Sequence, residues 1–179
     1  MHVKTIISIL AIILIIIGYI PYIRDTLKGK TKPHIFSWFI WSITTGIVYA
    51  LQVSAGAGVG AWVTLCITLI LILVFLLSIK NGNKGIKKID IVFLIIALAT
   101  IPLWLLVKQP VISISLLAII DILGFVPTIR KSWNDPYSET LSLYTITTFR
   151  HGLAIFALEK INFITILYPI IWVAINAIF

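Results

Sequence analysis

Apolar residues gather into seven long runs separated by short polar stretches, with approximate limits 3–23, 34–53, 59–79, 89–107, 111–129, 139–158 and 162–179. Each is near the roughly 20 residues that a helix needs to cross a bilayer. The longest polar connection, Lys80 to Lys88, is a basic Asn/Gly linker, so no room is left for a soluble domain. The first run, Val3 to Ile17, follows a weakly basic start but is not followed by a small-x-small cleavage site, and is expected to be retained. The pattern predicts an all-α integral membrane protein with seven transmembrane helices.

One stretch is written twice. Gly18-Tyr19-Ile20-Pro21-Tyr22-Ile23-Arg24 returns as Gly124-Phe125-Val126-Pro127-Thr128-Ile129-Arg130, 106 residues later. In the same ungapped frame Ile40 matches Ile146 and Gly46 matches Gly152. Gly, Pro and Arg in one register point to an internal duplication. It divides the chain into a first triple-helix repeat (1–79), a linker with helix four (80–110) and a second triple-helix repeat (111–179).

Composition agrees with the pattern. The 179 residues are 60% hydrophobic and 11% charged, with mean hydropathy +1.13. Too few polar groups are present to cover a soluble surface, so lipid must be the solvent. The net charge of +8 would suggest nucleic acid in a soluble protein; here the cations lie between apolar runs, as in cytoplasmic membrane loops, and no nucleic-acid partner is expected. Arg24, Lys28, Lys30, Lys32, Lys80, Lys84, Lys87, Lys88, Arg130 and Lys131 fall on one side, and Lys4, Lys108 and Lys160 on the other. Ten against three places the N-terminus outside and the C-terminus in the cytoplasm of a multi-pass plasma-membrane protein. Ile- and Lys-rich usage leans towards a bacterial inner membrane. Both repeats then run in the same direction, and helix four is the return crossing between them, a 3+1+3 order with parallel repeats. The single cysteine, Cys66, rules out a disulfide framework or thiolate metal site, and neither metal nor cofactor is expected.

With Pro21 ahead of Lys-Gly-Lys-Thr-Lys, and Pro127 ahead of Arg-Lys-Ser-Trp and Tyr-Ser-Glu-Thr, the chain resembles the SWEET and PQ-loop (MtN3-like) transporter superfamily. Neither copy has the literal Pro-Gln dipeptide, since Tyr22 and Thr128 follow the prolines, and the third run lacks the pocket asparagine of many sugar-carrying members. The resemblance implies that Pro21 and Pro127 are hinges about which the bundle rocks; the plainer reading is a helix stop at the membrane edge. The topology is also similar to that of nicotinamide-riboside transporters and the KDEL receptor.

Among residues that could carry chemistry, Asp121 falls near the middle of the fifth run, about 12 Å from its inner end at 1.5 Å per residue. Arg150, in the antiparallel sixth run, sits roughly 16 Å from the same face, within reach of an arginine side chain. A charged group in the transport path and a structural ion pair between helices five and six both fit. His151 follows as a candidate proton carrier. By the repeat offset Asp121 maps to Ile15, Arg150 to Thr44 and His151 to Thr45, so charge belongs to the second half alone. Tyr168, Trp172 and Asn176 form one stripe at i, i+4, i+8, suited to stacking on a polar ligand or to helix packing. A weaker stripe holds Trp62, Thr64 and Thr68. Thr44, Thr45, Thr147 and Thr148 read as backbone-bonded packing residues. Trp38, Trp104 and Trp133 fit aromatic belts, and Trp41 lies one turn deeper. Gly56, Gly58 and Gly60 predict a tight outer loop.

No nucleophile–base pair, metal-ligand spacing or phosphate loop is present, and no enzymatic activity is expected. The expected function is alternating-access transport of a small polar solute (sugar, amino acid or vitamin-like), facilitated or proton-coupled. The alternative is a non-transporting receptor or scaffold of the same fold. Membrane lipid and the solute are the expected partners, with a homo-oligomer as a further option.

Overall fold

A computed structural model describes residues 2–83, 85–106 and 109–179. Lys84, Lys108 and the side chain of Trp104, which enter the charge count and the aromatic-belt expectation, lie outside the described residues. The described chain forms seven α-helices: α1 (His2–Leu27), α2 (Ile35–Ser54), α3 (Gly60–Asn81), α4 (Lys88–Leu106), α5 (Pro110–Asn134), α6 (Leu141–Ala157) and α7 (Phe163–Ile178). One 3-10 turn, Pro136–Ser138, precedes α6. Among the described residues α1, α2, α3 and α5 are each long and apolar enough to cross a membrane, and α7 is a shorter apolar helix. The chain is a membrane-embedded helical protein.

A helix that is apolar all round must select its inner face by shape. In α1, Ala11, Ile15, Tyr19 and Tyr22 are buried at helical spacing, whereas Ile6, Ile9, Ile13, Ile16 and Ile20 point outwards. Ala11, Ile15 and the two tyrosines face the interior, and β-branched isoleucines cover the outward side.

Helices α1 and α2 both pack on α3, and α5 and α6 both pack on α7. Two further seams, α1 on α6 and α2 on α5, join these groups, and α4 lies against α5 with a lesser contact to α2. Glycine sets the approach at both seams. A Cβ on Gly18 would lie 3.1 Å from Ile146 Cγ2, and one on Gly124 would lie 3.0 Å from Ile40 Cγ2. The two contacts exchange the glycine and isoleucine of the repeated register.

Both prolines lie inside their helices rather than at the ends. α1 continues to Leu27 beyond Pro21, and α5 continues to Asn134 beyond Pro127. The expected limits at 23 and 129 are therefore too short, and the helix-stop reading does not hold. Arg24 and Lys131 fall in the last turns, where cations favour the negative end of the helix dipole. Trp133 is exposed, as an aromatic belt requires, but Trp38 is 1% exposed and belongs to the interior. Trp62 points outwards, away from buried Thr64 and Thr68, because two residues on a helix lie some 200° apart. Gly56 and Gly58 have φ of 82° and 57°, as a tight turn demands, and Gly60 approaches the Leu158 backbone.

Gly18→Leu and Gly124→Leu are expected to destabilise the protein by roughly 1–3 kcal/mol through overpacking. Gly152→Ala, with nothing within 4 Å of the added carbon, is the control. Thermal midpoints in detergent check this: unchanged midpoints for both leucine variants would rule out tight seams.

Candidate functional site

A small cavity of about 30 Å³, room for one or two waters, lies between the two helix groups. α1 contributes Tyr19, α2 Trp38 and Trp41, α3 Ile67 and Leu71, and α6 Leu143, Tyr144, Thr147, Arg150 and His151. α7 contributes Tyr168, Trp172 and Asn176. A second void of about 10 Å³ adjoins Gln52, Gly60, Thr64, Ala154 and Leu158. Ile67, Arg150, His151 and Tyr168 line both, so they form the partition between the two spaces.

The predicted stripe on α7 is therefore a wall of the cavity. Trp172 packs edge-on against Trp41 and Phe125, and Asn176 Nδ2 donates to the Trp172 carbonyl at 2.6 Å. Tyr168 OH and Thr45 Oγ1 lie 2.6 Å apart, tying α7 to α2 across the two groups. Thr44 and Thr45 thus do more than bond their own backbone, whereas Thr148 donates only to Tyr144 O, at 3.0 Å.

Asp121 and Arg150 form no ion pair. Among the described residues α5 and α6 make no close backbone approach, although the Phe125 and Tyr144 rings meet between them, and each helix packs on α7 instead. Equal depth along the axis left the two side chains on different seams. Asp121, fully buried, accepts a short hydrogen bond from Thr44 Oγ1, and its backbone carbonyl accepts from Trp41 Nε1 at 3.2 Å. Asp121 Oδ2 and the Trp172 indole N–H are both buried without a hydrogen-bond partner. Asp121 lines neither void; it stands behind the Trp41–Trp172 wall.

Arg150 is 2% exposed, and its Nη2 is hydrogen-bonded to His151 Nε2. A guanidinium has only donors, so His151 Nε2 accepts and this ring is neutral. Arg150 Nε has no partner, nor does any carboxylate lie within 4.0 Å of the guanidinium among the described residues. A cation at mid-helix costs about 2.5–3.5 kcal/mol on insertion scales, and here no protein anion offsets it.

Polar contacts tie the helices together at both ends of the bundle. At the end carrying most cations, Lys32 N donates to Ser138 O at 3.1 Å and Thr31 Oγ1 lies 2.5 Å from Thr140 Oγ1. Lys131, buried, pairs with Glu139 and donates to Lys32 O at 2.8 Å. Beside it Asp90 on α4 takes the fork of Arg130, with Nε–Oδ1 at 2.8 Å and Nη2–Oδ2 at 2.5 Å, while His34 Nε2 stands 3.4 Å from Oδ2. At the opposite end Lys4 Nζ reaches Leu158 O at 2.6 Å, Glu159 N donates to Ala57 O at 3.1 Å, and Gln52 Nε2 donates to Thr165 O at 3.3 Å.

Sequence reasoning picked out Arg150, His151, Tyr168, Trp172 and Asn176 on the cavity wall, but missed Tyr19, Tyr144 and the Asp90 latch. Tyr19 was visible inside the repeated motif. Asp90 follows two lysines and looks like ordinary surface charge. Comparison with known proteins returned no matching family model, curated protein or solved structure.

Asp90→Asn is expected to lower stability by roughly 2 kcal/mol, the scale of a hydrogen bond to a charged group. A double-mutant cycle with Arg130→Gln should give a coupling of at least about 1 kcal/mol. Strictly additive losses would mean that the contact holds nothing closed.

Proposed function

We propose that the protein is a SWEET-like transporter that moves a small polar solute across the membrane by alternating access. The observation that carries this reading is the small cavity between two helix groups, lined by aromatic side chains with Arg150 and His151 among them, with a different set of polar contacts at each end of the bundle. Opening one set while the other holds would expose the cavity to one side at a time. The 3+1+3 arrangement with parallel repeats is supported by the two seams, which exchange the same glycine and isoleucine, and by the matching order in which α1 and α2 flank α3 while α5 and α6 flank α7. α4 is then the return crossing. The charge bias puts the Lys131–Glu139 end in the cytoplasm, with the N-terminus outside.

In this mechanism Pro21 and Pro127 soften α1 and α5, since each removes one helical hydrogen bond. Arg150, His151, Tyr168, Trp172 and Asn176 face the solute. Asp121 acts from behind the wall, holding Thr44 and Trp41 in place across the α2–α5 seam. The receptor or scaffold alternative predicts a filled centre, and the small cavity volume is in its favour; separate sets of contacts at the two ends favour transport.

Proteoliposomes containing the full chain should take up one or more members of a sugar, amino-acid, carboxylate and vitamin panel, with and without a pH gradient. Pro21→Ala and Pro127→Ala should slow uptake several-fold while leaving the protein folded, and Asp121→Asn should slow it at least as much. No uptake of any solute by well-folded protein would favour the receptor or scaffold; full uptake by Asp121→Asn would remove Asp121 from the mechanism.

A further inference from the structure

The duplicated architecture shows why Arg150 is left without a counter-ion. Across the α2–α5 seam Thr44 meets Asp121. The corresponding positions across the α1–α6 seam, by the same register that exchanges Gly18–Ile146 with Gly124–Ile40, are Arg150 and Ile15. Cation and acid both belong to the second half of the chain, but they stand on different seams, so neither meets the other. Ile15 is 1% exposed and apolar, and cannot answer the charge. The other five acids, Asp25, Asp90, Asp135, Glu139 and Glu159, lie at the helix ends or in loops. His151 already spends its acceptor on Arg150 and adds no negative charge. What remains is a buried guanidinium with a free Nε, on the boundary of both voids.

We infer that the cavity is a site for a small organic monocarboxylate, whose anionic oxygens take the free donors of Arg150 while the aromatic wall receives its body. This names the class of solute and rests on the transport reading above. A guanidinium fork matches the two oxygens of a carboxylate in geometry and charge. A dianion would leave one negative charge uncompensated in a dry site. Trp38, Trp41, Tyr144, Tyr168 and Trp172 offer aromatic faces and edges to a flat or apolar body. At about 30 Å³ the space is contracted around no more than a water or two, so loading requires one end to open and the wall to part.

The tryptophans in the wall supply the readout. Purified full-length protein in detergent is titrated with acetate, lactate and benzoate, with their amides (acetamide, lactamide and benzamide), and with chloride and phosphate, and followed by intrinsic fluorescence. At least one carboxylate should bind tenfold or more tightly than its amide. Arg150→Gln should erase that preference, and Arg150→Lys, keeping charge but not the fork, should keep it with affinity about tenfold weaker. Size-exclusion elution identifies folded variants, and the lysine variant carries the test if the glutamine one does not fold. Equal binding of acid and amide, response to chloride or phosphate alone, no binding at all, a preference surviving Arg150→Gln, or undiminished affinity in Arg150→Lys would each overturn the assignment. Uptake of the same probes separates the two claims. A carboxylate that binds but is not carried keeps the anion site and removes transport; uptake confined to neutral solutes keeps transport and removes the anion site.

Discussion

Lipid offers no hydrogen bonds, and most of this molecule follows from that. The backbone must satisfy itself, so the described chain is almost wholly helical. The few polar side chains have to find partners inside the bundle. Many bond their own helix's backbone, and others tie helices together: Thr44 with Asp121, Thr45 with Tyr168, and Thr64 with Gln52. Hydrophobic burial cannot drive this assembly, since lipid is as apolar as isoleucine. Close approach at Gly18 and Gly124, together with these polar ties, specifies which helix meets which.

The number and order of the helices could be read from run lengths because apolar length is nearly a direct measure of membrane crossing. The Tyr168–Trp172–Asn176 stripe was legible for a similar reason, since helical spacing alone puts three residues on one face. What a helix's sequence does not state is the direction in which that face points. The depths of Asp121 and Arg150 were well matched, yet the two sit on different seams, Asp121 against Thr44 of α2 and Arg150 on the helix that packs on α1. Trp38 lies near a helix end and so resembled an anchor at the lipid boundary; closure of the loops above it puts it inside the bundle instead.

The two halves of the chain share Gly, Pro and Arg at one register, whereas charge within the bundle occurs only in the second half. The interior is built from contacts across the α1–α6 and α2–α5 seams, so a residue in one half is met by whatever the other presents. Asp121 met a threonine and is half satisfied. Arg150 met an isoleucine and is not.

The length of α5 beyond Pro127 has a mechanical consequence. Lys131 lies four residues past the proline, about 6 Å along the axis, and its ammonium bonds Lys32 O and Glu139. In the transport cycle proposed above, with Pro127 as hinge, the segment would act as a short lever with its fulcrum at that turn. A swing of ~20° about that point carries the tip through ~2 Å on the same helical rise, enough to part a hydrogen bond of 2.8 Å. Bending the helix and releasing the latch are then a single displacement, with no separate signal needed to travel between them.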